Sequence, residues 1–189
     1  MKKNLEEMLA DYHSCSYYDE NRMQAALNGD VIEISNIGTD FARCQMFTEA
    51  NECWEYCIES RMPTNPEAYT NLGVSYFYGN GVEVNYEKAV HFYQKATAAG
   101  HPFGKYNYAV ALEQGKGIKT DLNRAIKLYK QAAESGINQA IDALIRLGIY
   151  NEFPLSFYPR NPNDTSFSGN ELKYIKLCHT ISDYQPSHN

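Results

Sequence analysis

The chain has 189 residues, 43% hydrophobic and 21% charged, which is enough apolar material for one folded domain and excludes a disordered chain. Its net charge of -6 argues against a general nucleic-acid or anionic-membrane binder, which would need clustered Lys and Arg. No stretch approaches the roughly 20 apolar residues of a membrane span, and the opening Met1-Lys2-Lys3-Asn4-Leu5-Glu6-Glu7 lacks the apolar run of a secretion signal, so a cytoplasmic protein is expected.

Charge is uneven along the chain. Residues 1–66 carry 12 acidic and 5 basic side chains, net -7, residues 67–139 carry 6 and 8, net +2, and residues 140–189 carry 5 and 4, net -1. Such asymmetry reads either as two surfaces that steer a partner or, more plainly, as ordinary solvated helix faces. The five cysteines, Cys15, Cys44, Cys53, Cys57 and Cys178, contain no C-x-x-C pair, and no His pair at i, i+4 accompanies them. Reduced thiols are therefore expected, with no metal site and no cofactor. Cys53 and Cys57 lie one helical turn apart and read as small packing residues before they read as a metal or redox pair.

From the N-terminus, Leu5, Met8, Leu9 and Tyr12 share one helical face and Met23, Ala26 and Leu27 another, before Asn28-Gly29-Asp30 turns the chain. One or two capping helices are predicted. Beyond them the sequence repeats. Shifting it by 36 residues superimposes 68–103 on 104–139 with eight identities, among them Asn71/Asn107, Gly79/Gly115, Gly81/Gly117, Tyr93/Tyr129 and Gly100/Gly136. Ala68, Leu72, Tyr76 and Phe77 recur at helical spacing until Gly79-Asn80-Gly81 breaks the helix, which defines a helix A and its turn. Asn85 and Asp121 then stand as N-caps, and Ala89, Phe92, Tyr93 and Ala96 form the buried stripe of a helix B ended by Gly100, as Gly136 ends the next.

Downstream, Ala140-x-x-x-Leu144 restarts helix A, but no glycine turn or helix B comes after it, so the array stops at a half-repeat. Pro154, Pro159 and Pro162 among Phe153, Leu155, Phe157 and Tyr158 predict an aromatic linker that packs as it runs. Ser168-Gly169-Asn170-Glu171 then reads as a capping box ahead of a terminal amphipathic helix over about 169–183.

The pattern Ala68-x-x-x-Leu72-Gly73-x-x-Tyr76-x-x-Gly79-x-Gly81-Val82, continuing to Lys88-Ala89, Tyr93, Lys95-Ala96 and Gly100, resembles the Sel-1-like repeat (SLR), a variant of the tetratricopeptide repeat (TPR). The next copy departs at Tyr108, Ala109 and Leu112 and keeps Gly115-x-Gly117-Ile118 and the remainder of the pattern through Gly136. Upstream, Ile37-Gly38-x-x-Phe41, then Ala50, Trp54 and Cys57, then Pro63 or Pro66, resembles an ordinary TPR. The resemblance implies an all-α fold, a right-handed α-α superhelix, with N-terminal capping helices over 1–29. A repeat array then covers 30–149 (a TPR at about 31–66, SLRs at 67–102 and 103–139, a half-repeat at 140–149), and a C-terminal linker and terminal helix over 150–189 pack on it.

In such solenoids helix A lines the concave surface, the default binding site. By the resemblance, the position before the consensus Leu points into the groove, and here it is Asn36, Asn71 and Asn107. An Asn amide both donates and accepts, so a ladder of them suits the backbone of an extended peptide, unless it serves local helix or inter-repeat hydrogen bonds. The flanking groove positions inferred from the same alignment are Thr39, Arg43, Thr70, Val74, Phe77, Tyr78, Phe103, Tyr106, Val110 and Gln114. Tyr and Phe offer contact area with few rotors to freeze.

Enzyme motifs fail. Gly115-Lys116-Gly117-Ile118-Lys119-Thr120 is a repeat turn rather than a phosphate loop, and no Ser-x-x-Lys, H-E-x-x-H or G-x-S-x-G occurs. The expectation is a non-enzymatic adaptor or scaffold that binds a peptide or partner protein on its helix-A face, with no nucleic acid and no membrane. The alternative is a regulatory sensor whose C-terminal segment occupies the groove until a partner displaces it. A hydrolase of the penicillin-binding SLR type ranks lower, since this chain lacks those proteins' cysteine pairs and export signal. A homodimer is compatible with the open ends of a solenoid.

Overall fold

The computed structural model describes residues 4–60 and 65–149. The expected linker and terminal helix over 150–189, and Pro63, lie outside the described residues. The chain divides into two units, Met1–Leu144 and Ile145–Asn189, and the fold described here is that of the first.

Among the described residues there are nine α-helices and no strand. A capping pair comes first, α1 (Leu5–Leu9) and α2 (Glu20–Leu27), with a 3-10 turn over Tyr12–Ser14 between them. Asn4 and Glu7 close a reciprocal capping box on α1, and Asp19 accepts from the Arg22 amide to start α2. Three hairpins come next: α3 (Val31–Arg43) with α4 (Phe47–Glu59), α5 (Pro66–Tyr78) with α6 (Tyr86–Ala98), and α7 (Pro102–Gln114) with α8 (Leu122–Glu134). The last helix, α9, spans Asn138–Arg146. Each helix from α3 to α7 packs on the next, and α5 also packs on α7, which makes an all-α solenoid with A helices α3, α5 and α7.

The predicted punctuation holds. Asn85 and Asp121 accept from the Lys88 and Arg124 amides at 2.9 Å, and the α5 and α7 A helices end on left-handed Gly79 and Gly115. Within a hairpin, a small residue on helix A lets an aromatic ring of helix B come close. A Cβ on Gly38 would stand 2.7 Å from Trp54 Nε1, and one on Gly73 would stand 2.5 Å from Tyr93 Cε1. Between hairpins, the glycine turn of one unit sits on the first turn of the preceding helix B: Gly81 on the Phe47–Thr48 backbone, Gly117 on the Tyr86–Glu87 backbone. Asn51 Nδ2 reinforces the first junction by donating to the Asn80 carbonyl at 2.8 Å.

One expectation is overturned. Cys15 and Cys44 are paired as a disulfide, with Cα atoms 6.2 Å apart, within the ordinary range for a bridge. Separation of 29 residues hid the pair, because only the packing of the 3-10 turn onto the end of α3 brings them together. Cys53 and Cys57 are free, buried thiols, and Cys57 Sγ donates to the Val31 carbonyl. Burial raises both above the ordinary thiol value, so they stay protonated and pack as apolar groups. Reduction of the Cys15–Cys44 bridge, or Cys15→Ser/Cys44→Ser, is expected to cost about 2 to 3 kcal/mol through the regained freedom of the closed loop. Melts with and without reductant read this directly, and an unchanged midpoint would refute it.

Candidate functional site

The A helices carry the candidate groove residues in register. Asn36, Asn71 and Asn107 stand at equivalent positions of α3, α5 and α7, each partly exposed. They differ in what they hold. Asn36 Nδ2 donates to Glu33 Oε2 at 3.2 Å, a local bond within α3. Among the described residues the amides of Asn71 and Asn107 have no hydrogen-bond partner, so neither is committed to the helix or to a neighbouring repeat. Val74 and Val110 lie three residues on from them and are half-buried, while Tyr78, Phe103 and Gln114 are exposed.

Other groove candidates are taken up by the fold. Thr70 is buried, and its hydroxyl meets the Pro66 carbonyl at 2.9 Å and His101 Nδ1 at 2.8 Å. Phe77 is buried against Tyr86 and Tyr93, with Lys116 Nζ over its ring at 5.1 Å. Thr39 donates to the Ser35 carbonyl, and Tyr106 lies against the Tyr129 ring. Arg43 bonds Asp40 at 3.2 Å and lies over Tyr17. Thr70 and Phe77 are thus core rather than surface contacts, whereas Arg43, paired with the buried Asp40, keeps an exposed side chain. Helical periodicity alone places Thr70 and Phe77 on the A-helix face, but His101 ahead of the next A helix covers the first and α6 of its own hairpin covers the second.

At the N-terminal end of the A helices the structure shows a cavity of about 940 Å³, lined by the α2–α3 turn, the start of α3, the start of α5 and His101. Of the sequence-derived candidates only Asn36 lines it. Asp30, Ile32, Ser35, Asn65, Glu67 and His101 were missed. A signal was available in part, since Asp30, Asn65 and His101 recur near the repeat period just ahead of each A helix. Asp30 and Asn65 cap α3 and α5 through their side chains, whereas His101 makes no such bond to α7. Burial pulls the His101 imidazole below its ordinary value against a smaller opposing effect of Glu67, so it is neutral near pH 7.

Among the described residues no cluster of three His, Cys, Asp or Glu is placed to hold a metal ion, and no helix is long and apolar enough to cross a membrane. A stack of helical hairpins with a half-open A-helix face defines an α-helical repeat solenoid.

Its repeats identify the family. The Sel1 repeat model matches residues 66–101 and 102–137, each beginning one residue before the boundary read from the period, so the chain carries two Sel1 repeats. The Sel1 repeat protein from Oxalobacter formigenes is similar in structure, with a TM-score of 0.56 and 25% identity over 67% of this chain and 96% of that one. A protective antigen present in uropathogenic Escherichia coli strains, displaying an SLR fold, aligns with a TM-score of 0.59 and 22% identity over 77% of this chain. This chain spans 33% of that antigen. No curated protein matches the sequence significantly. Sel1 repeats are generally protein-interaction scaffolds, and proteins of this class generally bind protein partners.

Proposed function

We propose that this protein is a non-enzymatic adaptor that holds an extended peptide segment of a partner protein along the A helices. The observation that carries this reading is the pair Asn71 and Asn107, one repeat apart, half-exposed, with amides that nothing among the described residues satisfies. A peptide backbone offers the donors and acceptors such amides lack, whatever its side chains. Tyr78 and Phe103, 66% and 45% exposed, supply apolar contact area beside them. In this reading residues 30–149 recognise the partner, and residues 1–29 cap the array.

Partners recovered from a lysate of the source cell on the wild-type protein, then purified, provide the test. Asn71→Ala/Asn107→Ala is expected to weaken such a partner about 30-fold, the worth of two hydrogen bonds of about 1 kcal/mol each. Because the two amides bond nothing in the fold, the thermal midpoint should stay within about 2 °C. Unchanged affinity in the double variant would refute the ladder, and a large drop in midpoint would show that the amides are structural.

A further inference from the structure

The cavity at the N-terminal end of the A helices has a structural cause. Ser35 on α3 and Thr70 on α5 are equivalent positions, as are Asn65 and His101 ahead of α5 and α7. Between α5 and α7, the Thr70 hydroxyl donates to the Pro66 carbonyl and therefore accepts from His101 Nδ1–H, which ties one A helix to the cap of the next. Between α3 and α5 that tie is missing. Asn65 commits its Oδ1 to the Glu67 and Ala68 amides, each at 3.1 Å. Ser35, only 2% exposed, keeps an Oγ with no hydrogen-bond partner. The cavity lies where this bridge would be, and α3 packs less closely on α5 than α5 does on α7.

An orphaned buried hydroxyl costs about 1 to 3 kcal/mol, which a ligand group that bonds it recovers. The charge around the cavity says which group. Two carboxylates, Asp30 and Glu67, line it, and among the described residues no Lys or Arg does. The His101 ring is neutral, and with Nδ1–H given to Thr70 its Nε2 is an acceptor. Ile32, 68% exposed, and Pro66 add apolar wall. Acceptors of negative charge beside an apolar wall suit a long aliphatic stem ending in a fork of cationic donors, which is the arginine side chain.

We propose that this cavity is a specificity pocket for an arginine of the bound peptide, its guanidinium held among Asp30, Glu67 and Ser35 Oγ and its stem against Ile32 and Pro66. The proposal rests on the reading of the A-helix face as a peptide groove. Asn36, the first of the three periodic asparagines, lines the pocket and joins it to that face.

Isothermal titration of the full chain with two acetylated and amidated pentapeptides, Ala-Leu-Arg-Leu-Ala and the same peptide with glutamine for arginine, tests it. The arginine peptide should bind about tenfold tighter, the scale of charge-assisted hydrogen bonds. Asp30→Asn/Glu67→Gln should abolish the difference without lowering the melting midpoint, because an asparagine side chain still accepts from the α3 amides. Ser35→Ala should weaken the arginine peptide about fivefold and the glutamine peptide little. Equal binding of both peptides, binding of neither, or a preference that survives the carboxylate variant overturns the pocket. Self-association of the wild type that vanishes in that variant would make a second copy the occupant and overturn it as well. Asn71→Ala/Asn107→Ala separates the two readings. If it weakens both peptides while no arginine preference exists, the groove stands and the pocket fails. If the preference exists and that variant changes nothing, the pocket stands and the groove fails.

Discussion

Gly117→Ala is expected to lower the free energy of unfolding by about 4 kcal/mol, the sum of about 1 to 2 for a left-handed backbone and about 1 to 3 for overpacking. Gly117 has φ +70°, and a Cβ there would run into the Tyr86 carbonyl at the start of α6. Neither atom of that contact can swing aside as a flexible side chain would, so one of the two repeats must shift. Gly100 and Gly136 separate strain from contact. Their φ values are +83° and +88°, yet a Cβ on either meets nothing within 4 Å. Gly100→Ala and Gly136→Ala should therefore cost only about 1 to 2 kcal/mol. Urea unfolding of the three variants decides the matter: equal losses would mean that the repeat junction is loose and that the recurring glycine turns concern backbone geometry alone. Gly81→Ala should resemble Gly117→Ala, because a Cβ on Gly81 stands 2.8 Å from the Phe47 backbone.

Asp40→Ala is expected to cost about 3 kcal/mol, the lower end of the range for breaking a buried ion pair. The Asp40 side chain is 3% exposed and accepts from the Arg22 guanidinium, from Arg43 Nη1 at 3.2 Å and from the Tyr12 hydroxyl at 3.1 Å. Its partners come from the capping segment and from α3, so the carboxylate fastens the N-terminal cap to the first hairpin. The loss stays at the lower end because Arg22 keeps Glu33 at 3.0 Å and Tyr12 keeps the Tyr17 carbonyl at 3.0 Å. Glu33→Gln, which removes a half-exposed partner of the same arginine, should cost less than about 1 kcal/mol. Burial first, then the Asp40 carboxylate, pushes the Tyr12 phenol up to about 12 from 10.0. The folded state thus holds this proton longer than the unfolded chain. The stability it contributes is complete below pH 10 and is lost as pH rises toward 12. In Asp40→Ala the alkaline loss should still begin near pH 10 but be smaller and end earlier, and thermal melts against pH would show it. An unaltered alkaline limb would mean that Asp40 does not act on Tyr12.

The hairpins were legible because local chemistry and periodicity agree there. Asn85, Asp121, Gly79 and Gly115 act on their own turns, so reading them requires no knowledge of what lies across the fold. The A-helix face was legible only in part. Asn71 and Asn107 follow from the period, but the burial of Thr70 depends on how closely His101 of the next unit approaches, and that of Phe77 on how Tyr86 and Tyr93 pack within its own hairpin.

By itself the sequence determined the all-α repeat architecture, its caps and its turns, since each rests on interactions within about one helical turn or on a period of 36 residues that repeats eight identities. Tertiary structure alone decided three things. It paired Cys15 with Cys44, it gathered Tyr12 and Arg22 on Asp40, and it left the Ser35 hydroxyl unpartnered beside a cavity. The physical reason is common to all three. A disulfide, a buried ion pair and an orphaned hydroxyl are each settled by the distance between groups 18 or more residues apart, or by a partner that fails to arrive, and a period in sequence carries neither.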